Sequence, residues 1–115
     1  MSVLTQVPTE DHEQMMFVQW FRRTYSEVRI LSVPNGGHRH IAVAAKMKAT
    51  GLSKGVPDLF IPKWDMWIEM KRTKGGSLSA EQKDWIKYLE ELGHTCIVAK
   101  GADDAKAQIQ MHVIL

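Results

Sequence analysis

The sequence has a single cysteine, no long apolar run and little net charge. Cys96 stands alone, which excludes an internal disulfide and a cysteine-rich zinc site and is compatible with a reducing compartment. No apolar run approaches the roughly 20 residues that a membrane-spanning helix requires. The N-terminus lacks the basic segment and apolar core of a secretory signal peptide. We therefore expect a cytoplasmic protein that does not interact with membranes.

Length and composition are those of one small globular domain. The chain has 115 residues, of which 44% are hydrophobic and 24% charged, and this predicts a single domain over residues 1–115. The net charge of +2 favours a nucleic-acid partner only weakly. Its distribution is more informative, because the segment 38–54 contains no acid but four Lys/Arg residues and two histidines, namely Arg39, Lys46, Lys48, Lys54, His38 and His40.

Hydrophobic periodicity and turn residues predict the order helix, strand, short helix, two strands, helix, strand, helix. The predicted spans are 9–26, 28–34, 41–50, two strands within 55–71, 79–93, 94–99 and 101–112. Ser79 and Gln82 have the spacing of a capping box at the start of the third helix. That helix should bury a stripe formed by Trp85, Ile86, Leu89 and Leu92. Helices that separate the strands indicate an α/β fold with a mixed sheet covered on both faces.

Three charged residues interrupt the apolar hairpin at 55–71. If Lys63 and Trp64 form its tip, Asp58 lies directly opposite Glu69, with Cβ atoms about 4.5–5.5 Å apart. Lys71 follows Glu69 by two residues and therefore shares its face of the sheet. Lys-Trp does not suit a two-residue turn, so a longer loop remains open. An even shift in register would keep the three residues on one side, and an odd shift would separate them.

Two carboxylates this close repel each other and raise one pKa unless a cation lies between them. Oxygen ligands suit Mg²⁺ or Mn²⁺. The alternative is a hairpin with an exposed face and an ordinary Glu–Lys pair. Glu13 lies on the apolar stripe of the first helix, where it is either a residue of a fraying first turn or part of a polar site.

A longer series of residues resembles a known family. It comprises Glu13, Pro34-Asn35-Gly36, Gly55-Val56-Pro57-Asp58-Leu59, Glu69-x-Lys71, Leu78-Ser79, Gln82 and Trp85. Asp58 with Glu69-x-Lys71 is similar to the PD-(D/E)xK nuclease signature, and the whole series resembles a stand-alone VRR-NUC domain of phages and bacteria, over residues 10–100. The resemblance implies a restriction-endonuclease-like αβββαβ core. It also implies a location in a bacterial cell or a phage-infected host.

The resemblance also implies which residues bind the metal, hold water and orient the site, whereas the expected DNA contacts follow from the polar and basic residues around them. Asp58 and Glu69 would bind Mg²⁺ or Mn²⁺, the Met70 backbone carbonyl would be a further ligand, Lys71 would position the attacking water, Glu13 would hold a metal-bound water and Gln82 would orient the site. Residues expected to contact DNA are Asn35, His38, Arg39, His40, Lys46, Lys54, Arg72 and Lys74.

The predicted function is a metal-dependent, structure-selective DNA endonuclease, specifically a homodimeric Holliday junction resolvase. A general nicking or flap nuclease is the alternative enzyme, and a non-catalytic DNA-binding module of the same fold is the alternative outside enzymes. Trp64, at the hairpin tip, either enters a junction as a wedge or packs against a partner subunit or its own loop.

Overall fold

The computed structural model describes residues 7–34 and 41–114, and its elements follow the predicted order. They are α1 (Glu10–Thr24), β1 (Leu31–Ser32), α2 (Ile41–Ala49), β2 (Leu59–Ile61), β3 (Met66–Lys71), α3 (Ala80–Glu91), β4 (Thr95–Lys100) and α4 (Ala102–Ile114). Within the described ranges, no helix has both the length and the apolar character needed to cross a membrane.

The four strands form one mixed sheet in the order β1-β2-β3-β4. β1 with β2 and β2 with β3 are antiparallel, whereas β3 and β4 are parallel. Parallel neighbours cannot be joined by a tight turn, and α3 provides the crossover between them. This confirms the predicted mixed sheet flanked by helices. The two hairpin strands, β2 and β3, are therefore the internal strands of the sheet.

One face of the sheet carries the main hydrophobic core. α1 contributes Phe17 and Phe21, and β3 contributes Met66, Ile68 and Met70, all with no exposed surface. Each such side chain stabilises the fold by about 1.5–3 kcal/mol relative to full exposure. α4 packs against β4 and α1 on the same side. Alternation along β3 therefore directs Glu69 and Lys71 toward the opposite face, where α3 lies against β4.

The hairpin turn is longer than two residues, as the poor Lys-Trp turn sequence had left open. A 3₁₀ turn spans Pro62–Trp64, and Asp65 follows in the left-handed region with φ of 48°. The predicted register nevertheless holds, since Ile61 pairs with Met66. Trp64 does not project from the tip: its ring packs edge-on against Phe21 and Tyr25, with centroids 5.6 Å apart in both pairs. Trp64 thus packs on α1 rather than projecting from the tip as a wedge or lying only against its own loop, and its contact with a partner subunit stays a prediction.

Two further sequence predictions are corrected. The strand expected over 28–34 reduces to Leu31–Ser32, because the chain still turns at Val28, whose N–H donates to the Tyr25 carbonyl. Leu92 is 59% exposed rather than part of the buried stripe of α3. The helix ends at Glu91, and Leu92 is its C-cap residue, beyond the length that packs on β4.

We expect Gly55→Ala to destabilise the fold more than Gly93→Ala. Both glycines have φ of +95°, which costs an L-residue about 1–2 kcal/mol. A Cβ on Gly55 would also lie 2.7 Å from the Glu81 backbone carbon, whereas a Cβ on Gly93 would meet nothing within 4 Å. The free energy of unfolding, measured by urea denaturation, should fall further for the Gly55 variant. Equal losses would contradict the close approach between the hairpin entry and α3.

Candidate active site

Asp58 and Glu69 come together at the open end of the β2–β3 hairpin. The Leu59–Ile68 pairing, continued by one residue, places Asp58 opposite Glu69. The Met70 backbone N–H donates to Asp58 Oδ2 at 2.8 Å, and the Asp58 carbonyl accepts from the Val33 N–H at 2.8 Å. These bonds fix Asp58 although it precedes the ladder of β2. Glu69, on the internal strand β3, is only 2% exposed.

Gln82 connects the two functional residues of β3. Its Nε2 donates to Glu69 Oε2 at 3.2 Å, and its Oε1 accepts from Lys71 Nζ at 3.1 Å. Lys71 Nζ also lies 3.6 Å from Glu69 Oε2, and both side chains are almost fully buried. The three side chains therefore form a closed arrangement in which each contacts the other two.

The same glutamine begins α3. Gln82 Oε1 accepts from the Ser79 N–H at 2.9 Å, and the Gln82 N–H donates to Ser79 Oγ at 3.1 Å, which completes the predicted capping box. The Gln82 side chain therefore both caps α3 and contacts Glu69 and Lys71. Because the cap holds the Gln82 side chain, the amide that reaches Glu69 and Lys71 is oriented before any ligand arrives.

Burial and a neighbouring acid perturb Glu69. Desolvation, followed by the charge and hydrogen bond of Asp58, raises the pKa of Glu69 from 4.5 to about 8, while Lys71 acts in the opposite direction. Within the described chain, Glu69 Oε1 is buried and has no hydrogen-bond partner. A buried carboxylate oxygen without a partner is costly. The protein therefore maintains an acceptor that a cation could satisfy.

A cavity of about 650 Å³ opens beside these residues. Its walls come from α1, α2, the entry to β2, β3 and the start of α3. The lining residues are Glu10, Ala44, Lys48, Leu52, Ser53, Lys54, Gly55, Asp58, Glu69, Ser79 and Gln82. Among residues 7–34 and 41–114, no three His, Cys, Asp or Glu side chains group closely enough to form a metal site on their own.

The α1 acid in this wall is Glu10, not the expected Glu13. Glu13 Oε1 instead accepts from the Ala102 N–H at 2.9 Å and so satisfies a donor at the start of α4. Its role toward a metal-bound water stays a prediction. Sequence reasoning missed Glu10, although the signal was available: Glu10 precedes Glu13 by three residues and therefore lies on a neighbouring part of the helix surface.

The residues expected to contact DNA are distributed unevenly. Asn35, His38, Arg39 and His40 lie outside the described residues. Lys54 lines the cavity and pairs with Glu81 at 3.5 Å, while Lys46 is exposed on α2 and does not line it. Arg72 and Lys74 are exposed just after β3. Lys48, which was not among the expected contacts, does line the cavity.

Glu69 should make the metal-free protein less stable as pH rises. Between about 4.5 and 8 the folded state keeps a proton on Glu69 that the unfolded chain has lost. The free energy of unfolding then falls with pH, by of order 1 kcal/mol per pH unit. Glu69→Gln cannot ionise and should flatten this fall in urea denaturation series containing EDTA. Glu91→Gln, at the exposed end of α3, is the matched control, and an unchanged slope in Glu69→Gln would contradict the assignment.

Comparisons with known proteins agree on one family. The family model described as the VRR-NUC domain matches residues 3–103. A solved structure titled "VRR_NUC domain protein" superposes with a TM-score of 0.76 at 28% identity, covering 96% of this chain and 92% of that one. None of the curated proteins matches. With the fold, the paired acids and the family model in agreement, the chain belongs to the VRR-NUC family, whose domain is a nuclease of the PD-(D/E)xK type.

Proposed function

We propose that this protein is a divalent-metal-dependent DNA endonuclease that prefers branched DNA. The observation that carries the proposal is the pair formed by buried Glu69 and half-buried Asp58, with a Glu69 oxygen that has no partner among the described residues. Such a pair is unfavourable by itself, because burial and the charge of Asp58 both raise the pKa of Glu69 and so oppose its ionisation. Binding a cation removes both penalties.

The donor set fits Mg²⁺ or Mn²⁺. Asp58, Glu69 and the Met70 carbonyl would hold the ion with oxygen ligands only, which these hard cations prefer. Water molecules and a DNA phosphate oxygen would complete the coordination, since two protein carboxylates do not form a full ligand set. When bound, the ion would polarise the phosphodiester and lower the pKa of a bound water. Glu10 adds a third acid to the same cavity.

Lys71 and Gln82 support the reaction from the protein side. The Lys71 ammonium lies beside Glu69 in this buried site, where its positive charge would stabilise the negative charge that develops on the phosphate. Gln82 holds both side chains in place through its two hydrogen bonds. Since its amide is also fixed by the cap of α3, the site requires little reorganisation when DNA binds.

We further propose that two copies act together as a Holliday junction resolvase. The last turn of α4 exposes the apolar side chains of Met111, Val113 and Ile114, and exposed apolar surface suits a contact between subunits. A dimer would bring two equivalent sites to the two strands of a junction. Light scattering coupled to size exclusion would measure the mass in solution, and a monomer would favour the nicking or flap nuclease.

The test is cleavage of a labelled four-way junction, a flap and a linear duplex, with Mg²⁺, Mn²⁺ or EDTA. We expect metal-dependent, paired cuts in the junction. Lys71→Met should still bind DNA but lose about 10²–10³-fold in cleavage rate, because it keeps the buried volume and removes the charge. Circular dichroism of each variant establishes that it folds.

Different outcomes overturn different parts of the proposal. Cuts in all three substrates would remove the preference for junctions but retain the nuclease. Junction binding without cleavage would favour the non-catalytic DNA-binding module. Cleavage by Lys71→Met at the wild-type rate would remove Lys71 from the catalytic set.

A further inference from the structure

The cavity beside the paired acids requires positively charged side chains if it is to bind DNA phosphates. Its lining includes three acids, Glu10, Asp58 and Glu69, and only two cations, Lys48 and Lys54. A phosphate backbone that approaches ionised acids in this lining is repelled. A metal ion would offset part of this charge at Asp58 and Glu69, but the phosphates on either side of the cleaved bond require their own partners.

The two lining lysines differ in what they already contact. Lys54 pairs with Glu81 at 3.5 Å. Lys48 forms no ion pair within residues 7–34 and 41–114. Lys71 does not line the cavity and is engaged with Glu69 and Gln82. Lys48 is thus the cavity cation whose charge no described acid offsets.

The packing of α2 explains how Lys48 reaches this position. Ala44 and Lys48 are four residues apart, so they share one side of the helix, and both line the cavity. Met47 lies in the wall of a second cavity with Leu52, and the Leu52 N–H donates to the Met47 carbonyl at 2.9 Å. No residue of α2 is fully buried. The helix therefore contributes a wall to the site rather than a part of the core.

We propose that Lys48 binds a DNA backbone phosphate next to the scissile bond and so positions the strand over Asp58 and Glu69. This inference rests on the proposed function, because it assumes that the cavity admits DNA. A single lysine that contacts a phosphate adds affinity without reading sequence. Small side chains at the neighbouring turn, such as Ala44, leave room for the backbone to pass.

The test compares Lys48→Ala with Lys48→Arg, Lys46→Ala and Lys63→Ala. The probe is a fluorescein-labelled four-way junction. Its cleavage kinetics are measured in Mg²⁺, and its binding is measured by fluorescence anisotropy in EDTA over a series of salt concentrations. Lys48→Ala should raise KM about tenfold with a much smaller change in kcat, as expected for one lost charge-assisted contact. Its slope of log K against log salt should fall by about one, and Lys48→Arg should restore both quantities.

The control variants show whether the effect depends on the position of Lys48 or only on the loss of one lysine charge. Lys63→Ala removes the same charge at the turn at the far end of the hairpin and should leave KM and the salt slope unchanged. Lys46→Ala, on another side of α2, should raise KM less than Lys48→Ala. Equal effects of the two α2 variants, or no effect of Lys48→Ala, would overturn the inference.

The outcome remains distinguishable from that of the proposed function. If the wild type binds the junction without cutting it, the nuclease proposal fails, and the salt slope of Lys48→Ala still decides the inference. If the wild type cuts and Lys48→Ala behaves like the wild type, only the inference fails. If the wild type neither binds nor cuts DNA, both fail.

Discussion

Glu69 is buried on β3, an internal strand of the sheet, and its carboxyl group faces Asp58 across the hairpin. The electrostatics of the rest of the site depend on this position of Glu69. Burial raises the pKa of Glu69, Asp58 raises it further, and Lys71 only partly compensates. The apolar layer of α1 and α4 beneath β3 holds the strand in position, while the capped start of α3 holds the Gln82 amide against Glu69. The fold thus maintains an electrostatically unfavourable pair that becomes favourable with a cation.

At the start of α3 the same residues serve both the fold and the candidate site. One capping box begins the helix and, through the same glutamine, orients Glu69 and Lys71. Gly55 then lets the entry to β2 approach the α3 backbone, which brings Asp58 toward the same point. Stability and site geometry therefore depend on the same few contacts. A substitution at Gln82 or Gly55 changes both, and for this reason Lys71 and Lys48 are the better residues with which to separate chemistry from folding.

The features predictable from sequence were those that depend on local spacing. Two-residue alternation and the hairpin placed Asp58 opposite Glu69, and the Ser79–Gln82 spacing gave the capping box. The length of β1 and the exposure of Leu92 depend on where neighbouring elements end, which periodicity does not encode. The residues that line the cavity could not be predicted from local spacing. Glu10 and Lys48 line it because of how α1 and α2 are oriented, whereas Glu13 bonds to the start of α4.

The most direct test of this account is calorimetric titration of Mn²⁺ into the wild type and Asp58→Asn, near pH 7 and in two buffers of different ionisation enthalpy. The pKa of Glu69 is raised to about 8, so its carboxyl is largely protonated near pH 7. Binding of Mn²⁺ to the paired acids should therefore release about one proton, and the measured heat of binding should depend on the buffer. Asp58→Asn should weaken binding at least about tenfold. Wild-type affinity in Asp58→Asn, or heats that do not depend on the buffer, would contradict a cation site formed by the two acids.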